Sequence, residues 1–106
     1  KGNDWLILNS IDGNCIEKIE ISTHHFKGNY PSYCSLQAAY LPSKSSKQIV
    51  NSSNKWKYLL KNTKLSANKT HRFKNSLMKK DKINHIKINI FPDGGISRFR
   101  IFGKKI

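Results

Sequence analysis

The chain has 106 residues, 20 of them Lys or Arg against 6 Asp or Glu, which gives a formal net charge of +14 and apolar material for one domain with a modest core. No apolar run approaches the ~20 residues of a membrane-spanning helix and the first residues lack a signal-peptide core, so a cytoplasmic protein with no membrane partner is expected. The 17 Lys are scattered among 11 Asn and 13 Ile, residues that share AT-rich codons; compositional bias accounts for the charge more readily than a nucleic-acid surface does, and nucleic acid is not an expected partner.

Taken in chain order, the sequence predicts short strands. Residues 5–8 form an apolar strand ended by Asn9-Ser10 and Asp12-Gly13. Residues 15–21 alternate, with Ile19 and Ile21 on one face and Glu20 on the other. The chain breaks at 28–31, where Gly28-Asn29 is expected to turn through φ > 0, and 33–40 follow as a strand. Residues 42–54, rich in Ser, Lys and Asn, offer little to bury beyond Ile49 and Val50 and read as an exposed, mobile loop. Residues 56–60 are apolar enough to pack, as a strand or a helical turn alike. Residues 62–68 read as polar connection, 70–73 as a further strand and 76–81 as a basic turn. No helix signature of useful length appears, and many short strands at regular spacing indicate an all-β sandwich.

The stretch 85–103 is the most informative. Ile86, Ile88 and Ile90 alternate with His85, Lys87 and Asn89. After Pro92-Asp93-Gly94-Gly95, Ser97, Phe99 and Ile101 alternate with Arg98, Arg100 and Phe102. Pro presets φ, Asp accepts bonds from nearby N–H groups, and Gly permits φ > 0. Residues 85–91 and 96–102 are therefore predicted to pair as an antiparallel hairpin, with Ile86, Ile88, Ile90, Phe99 and Ile101 buried and Lys87 exposed. Strand patterning also buries Trp5, Phe91, Phe99 and Phe102, which removes the stacking platforms a nucleic-acid binder needs. Cys15 and Cys34 lack metal-ligand spacing and read as buried thiols of a reducing compartment.

These segments resemble a known family. The run from His85 through Asn89-Ile90-Phe91-Pro92-Asp93-Gly94-Gly95-Ile96 to Arg98-Phe99-Arg100 and Phe102-Gly103 is similar to the closing signature of the allantoicase repeat. Upstream, Thr23-His24-His25-Phe26-Lys27-Gly28-Asn29-Tyr30-Pro31 resembles the family's Thr-x-His-Phe-x-Gly-Asn-Tyr-Pro run. Asp4-Trp5-Leu6-Ile7-Leu8 resembles the repeat's opening, and Trp56, Leu59-Leu60 and His71-x-Phe73 keep the family's order in between. The resemblance covers nearly the whole chain. It implies a jelly-roll sandwich of the galactose-binding type, with residues 1–106 as a single repeat of a longer two-repeat protein. Two family features differ: the Gly-Trp-Glu-(Thr/Ser)-Arg-Arg block that precedes the Asp-Trp strand is absent, and Ser22 stands where the family has Asp.

The reaction implied by the resemblance is hydrolysis of allantoate to ureidoglycolate and urea, which breaks a C–N bond at a carbon bearing two ureido groups. Allantoate is then the small-molecule partner. A carboxylate substrate calls for a guanidinium fork, so Arg98 and Arg100, with Asn29 and Tyr30, are the expected substrate-binding residues. Departing urea needs a proton donor and attacking water a base; His25, His85 and Asp93 are the expected catalytic residues. His24 stands where the family has a small residue and is set aside. No cofactor is expected. Six scattered acids with no His-x-His or His-Glu-x-x-His predict no metal in a protein cage. The turn at 25–30 and the Arg98 and Arg100 strand face are expected to line one concavity. A homo-oligomer or a second repeat is the expected protein partner. The alternative is a non-enzymatic module of the same sandwich that binds a sugar or an anion through loops at one end.

Overall fold

Period-2 alternation does organise this chain, but into fewer and longer strands than its turn residues suggest. A computed structural model describes residues 4–78 and 82–105, leaving out the side chains of 10–14 and 105. The elements are β1 (Asp4–Ser22), β2 (Tyr33–Ala39), α1 (Ser46–Ser52) running into a 3-10 turn (Ser53–Lys55), β3 (Lys57–Lys64), β4 (Thr70–Phe73), β5 (Ile83–Phe91) and β6 (Arg98–Lys105). All pairings are antiparallel.

β1 belongs to two layers. Its first half pairs with β5, Leu6 opposite Ile88 and Leu8 opposite Ile86, and extends a layer ordered β3-β2-β5-β1. Its second half lies between β4 and β6, Ile21 facing both His71 and Phe99. The inner faces of the two layers meet in one core. Ile19, Ile21 and Phe73 come from one side and Cys34, Leu36, Ala38, Leu59, Leu60, Ile86 and Ile88 from the other. Burial of each Leu or Ile contributes about 1.5–3 kcal/mol. The fold is an all-β sandwich, as the strand spacing indicated.

The predicted hairpin does not form. β5 already has β2 on one edge and β1 on the other, so no hydrogen-bonding edge is left for β6, which pairs with the second half of β1 instead. The bend at 92–96 thus carries the chain from one layer to the other. Gly94 has φ 127, whereas Gly28 is not among the residues with positive φ; His25, at φ 75, takes that role in the upstream turn. The turn residues Asp12-Gly13 do not end β1; they fall within a register shift between Asn9 and Asn14, and the backbone stays extended.

Lys87, expected to be exposed, is only 8% exposed. The outer face of the four-stranded layer is covered because 42–54 is not simply a loop. Ser45 and Gln48 close a capping box, Ser45 Oγ accepting from Gln48 N (3.2 Å) and Gln48 Oε1 from Ser45 N (3.0 Å), and α1 follows. Beneath this segment Lys87 Nζ donates to Ser53 Oγ (2.9 Å) and lies 4.7 Å from the Trp5 ring centroid. Burial lowers the Lys87 pKa. Trp5 is itself 48% exposed and Phe102 37%, so the expected burial of these two aromatics does not hold; both lie on outer sheet faces, each over a lysine. Ile86 and Ile88 are buried as predicted, Ile90 and Phe99 are half-buried, and Ile101 is 38% exposed. The basic turn at 76–81 lies partly outside the described residues.

Candidate functional site

The side chains that point away from the core on β4, β1 and β6 fall into register. Arg72, Glu20 and Arg100 form one row across the three strands, and Thr70, Ser22 and Arg98 form the next. This follows from alternation, since Ile19, Ile21, His71, Phe73 and Phe99 take the inward positions. Ser22 and Thr70 hydroxyls are hydrogen-bonded (2.9 Å), and Ser97 is tied to Ser22 O through its N–H (2.9 Å), which fixes where β6 begins. With Ser97, His24 and His25 these two rows line a concavity of about 420 Å³.

Charge in the concavity is one-sided. Glu20, 9% exposed, is the one acid in its lining. Its Oε2 accepts from Arg72 Nε at 3.0 Å, with Lys18 Nζ at 3.8 Å, while Arg100 Nη1 stands 3.9 Å from Oε1. Arg98 has no acidic partner among the described residues. The only Arg in the chain are Arg72, Arg98 and Arg100, and all three line this hollow, although the chain has 17 Lys. A guanidinium offers five donors in a planar fork, so this face suits a carboxylate.

The two histidines reach the rim through a braced turn. Thr23, fully buried, donates from Oγ1 to Ser66 O (2.6 Å) and pairs its N–H with Lys69 O (2.8 Å). His25 N donates to Asn68 Oδ1 (2.9 Å), which holds His25 in its left-handed conformation. The neighbouring bend locks onto the same turn. Gly95 N donates to Asn29 O (2.9 Å), a Cβ at Gly95 would strike the Phe26 ring, and Gly94 packs against the backbone of Tyr30 and Pro31.

Of the residues singled out in the sequence, His25, Arg98 and Arg100 come together in this concavity. Asn29 and Tyr30 lie outside its lining, in the turn that carries His25, and Asp93 sits exposed in the bend, also outside the lining. His85 is in the other layer, opposite Asn9 and Ala39, 3% exposed. Its Nδ1 bonds Asn84 Oδ1 (2.7 Å) and its ring lies 6.0 Å from that of Trp56, while burial lowers its pKa. Sequence reasoning passed over Glu20, Arg72 and His24. The alternation placing Glu20 opposite Ile19 and Ile21, and the scarcity of Arg beside Lys, were the available signals. A second hollow of about 350 Å³, lined mainly by Leu8, Ile16, Ile83, Ile86 and Ile101, is short of chemically active groups. Among the described residues no three His, Cys, Asp or Glu gather as a cation site, and no helix is long and apolar enough to cross a membrane.

Fold and face together define a β-sandwich domain with a cationic concavity on one sheet. The chain belongs to the allantoicase family: the family model for the allantoicase repeat matches residues 1–106. A probable allantoicase of Stutzerimonas stutzeri (strain A1501) is 45% identical over 105 residues, covering 99% of this chain and 32% of that protein. A probable allantoicase of Acinetobacter baumannii (strain AYE) is 47% identical over 103 residues, covering 97% and 31%. Among solved structures, one of an allantoicase matches with a TM-score of 0.77 and 27% identity over 97% of this chain and 28% of its own. Another, the allantoicase of Saccharomyces cerevisiae, matches at 0.76 and 27% over 96% and 28%. This chain thus spans about a third of the length of these curated relatives.

Proposed function

We propose that this chain supplies the substrate-binding face of an allantoicase, hydrolysing allantoate to ureidoglycolate and urea in purine degradation. The observation that carries this reading is the convergence of every Arg in a Lys-rich chain on one concavity beside two His and one Glu. Arg98 and Arg100 receive the allantoate carboxylate, Arg98 with its donors uncommitted to any acid among the described residues. Water then adds its oxygen to the central carbon, the C–N bond to one ureido group breaks, and the proton lost by water ends on the departing nitrogen, so urea leaves neutral. His25, at the rim, is the group that moves that proton. Asn29 and Tyr30 act through the turn that orients His25. His85 and Asp93 lie outside the concavity and take no part in the step in this reading.

The reading places residues 1–106 as one repeat of a longer cytoplasmic protein, with a second repeat or another copy as its partner. Incubating the full-length protein with allantoate and assaying urea tests it directly. Urea release whose kcat/KM falls at least about tenfold in Arg98→Ala is the expected result. Allantoate binding without urea release would leave a non-enzymatic binding module instead.

A further inference from the structure

Glu20 is out of place in a hollow whose purpose is to hold an anion. A carboxylate in the lining weakens the pull of Arg72, Arg98 and Arg100 on any carboxylate ligand, by Coulomb repulsion at short range. Holding Arg72 does not account for both its oxygens. Only Oε2 accepts from Arg72 Nε (3.0 Å); Oε1 lies 3.9 Å from Arg100 Nη1, beyond hydrogen-bonding range, and accepts no hydrogen bond among the described residues. The side chain is 11% exposed and lines the concavity, so this open acceptor stands among the groups a bound ligand would meet. Arg98 and Arg100 are two residues apart on β6, with Cα atoms about 7 Å apart, a span within reach of a small acid.

We propose that Glu20 is a specificity-determining residue: its Oε1 accepts an N–H of a ureido group while Arg98 and Arg100 hold the adjacent carboxylate. The concavity thereby selects N-carbamoyl acids over acids of the same shape that lack N–H donors. This rests on the proposed function and adds to it the acceptor for the nitrogen side of the substrate. An acceptor left unmatched by a ligand CH₂ or CH₃ keeps a desolvated charge without a partner, which is how such sites discriminate strongly.

Two small probes separate the ideas. N-carbamoylglycine and 4-oxopentanoate have the same length, carbonyl and carboxylate, but only the first has N–H groups. Calorimetric titration of the full-length protein should show at least tenfold tighter binding of N-carbamoylglycine. In Glu20→Gln the single acceptor oxygen stays with Arg72 and the amide NH₂ faces the hollow. The preference should fall to about threefold or less while 4-oxopentanoate binds as well as before or better. Equal binding of the two probes to the unmodified protein would overturn the proposal without any variant. So would a Glu20→Gln protein that loses the same factor for both probes, because Glu20 would then only hold the arginines. If the unmodified protein binds neither probe, or if Arg98→Ala binds both as tightly as the unmodified protein, the carboxylate site itself fails, and the functional reading falls with it.

Discussion

Arg98→Ala separates binding from stability more cleanly than any other change in this domain. The Arg98 side chain is exposed at the start of β6, and among the described residues no acid pairs with it. Its removal should therefore shift unfolding by no more than about 0.5 kcal/mol. In the proposed complex it would make at least one charge-assisted hydrogen bond to the substrate carboxylate, worth about 1.5–3 kcal/mol, so its removal should lower kcat/KM roughly 10- to 150-fold. Arg98→Lys keeps the charge but not the fork and should fall between the two proteins. Arg72→Ala makes the contrast. It breaks the 3.0 Å bond to a Glu20 that is 11% exposed, and should cost about 1 kcal/mol of stability, limited by the 65% exposure of Arg72 itself. Urea release against allantoate concentration, with thermal melts of the same full-length proteins, measures both quantities. Arg98→Ala with kcat/KM within twofold of the parent, or with a stability loss above 1 kcal/mol, would refute the assignment.

Leu36 is fully buried between β3 and β5, opposite Leu60 and Ile88, so Leu36→Ala should cost about 2–5 kcal/mol in urea denaturation. Gly94 combines φ 127 with a would-be Cβ 2.6 Å from Tyr30 carbonyl carbon; Gly94→Ala should lose at least about 2 kcal/mol and lower turnover by disturbing the turn that carries His25. Burial lowers the His85 pKa from 6.5, so the neutral ring's stability is complete above that value and lost as pH falls from it toward the lower folded value; His85→Phe should flatten the stability profile in that window. Burial pushes the Cys34 thiol up to about 12, and mass spectrometry after mild alkylation at pH 8 should find Cys15 modified well before Cys34.

Alternation was legible: Ile19 and Ile21 inward, Glu20 outward, Ile86 and Ile88 in the core all follow from a two-residue period. Pairing was not, because a strand's side chains reveal its faces but not what occupies its edges. Hence β5 and β6 read as a hairpin although β5 had no edge to spare. Lys87 shows the second limit. Its polar face is buried by α1 and the 3-10 turn, more than thirty positions away in sequence, as its bond to Ser53 records. Within the concavity, the family motifs pointed to His25, Arg98 and Arg100. Glu20 and Arg72, 52 residues apart, meet only through the β1–β4 register, and no local pattern announces such a meeting. The α1 segment was recoverable from Ser45 and Gln48, whose capping box was in plain view.

The layer that carries the arginines has a single reinforced strand. Among the described residues β4 and β6 are both sheet edges, and each pairs along β1 alone. Edge strands fray first, so Arg72, Arg98 and Arg100 stand on the backbone most ready to open, while Glu20 stands on the one strand that cannot leave without dismantling both layers. A substrate held by Arg98 and Arg100 through its carboxylate and by Glu20 through its ureido N–H would clasp the edge strand β6 to β1. Occupancy of the site should then favour the β6–β1 pairing, with β1 as the fixed partner.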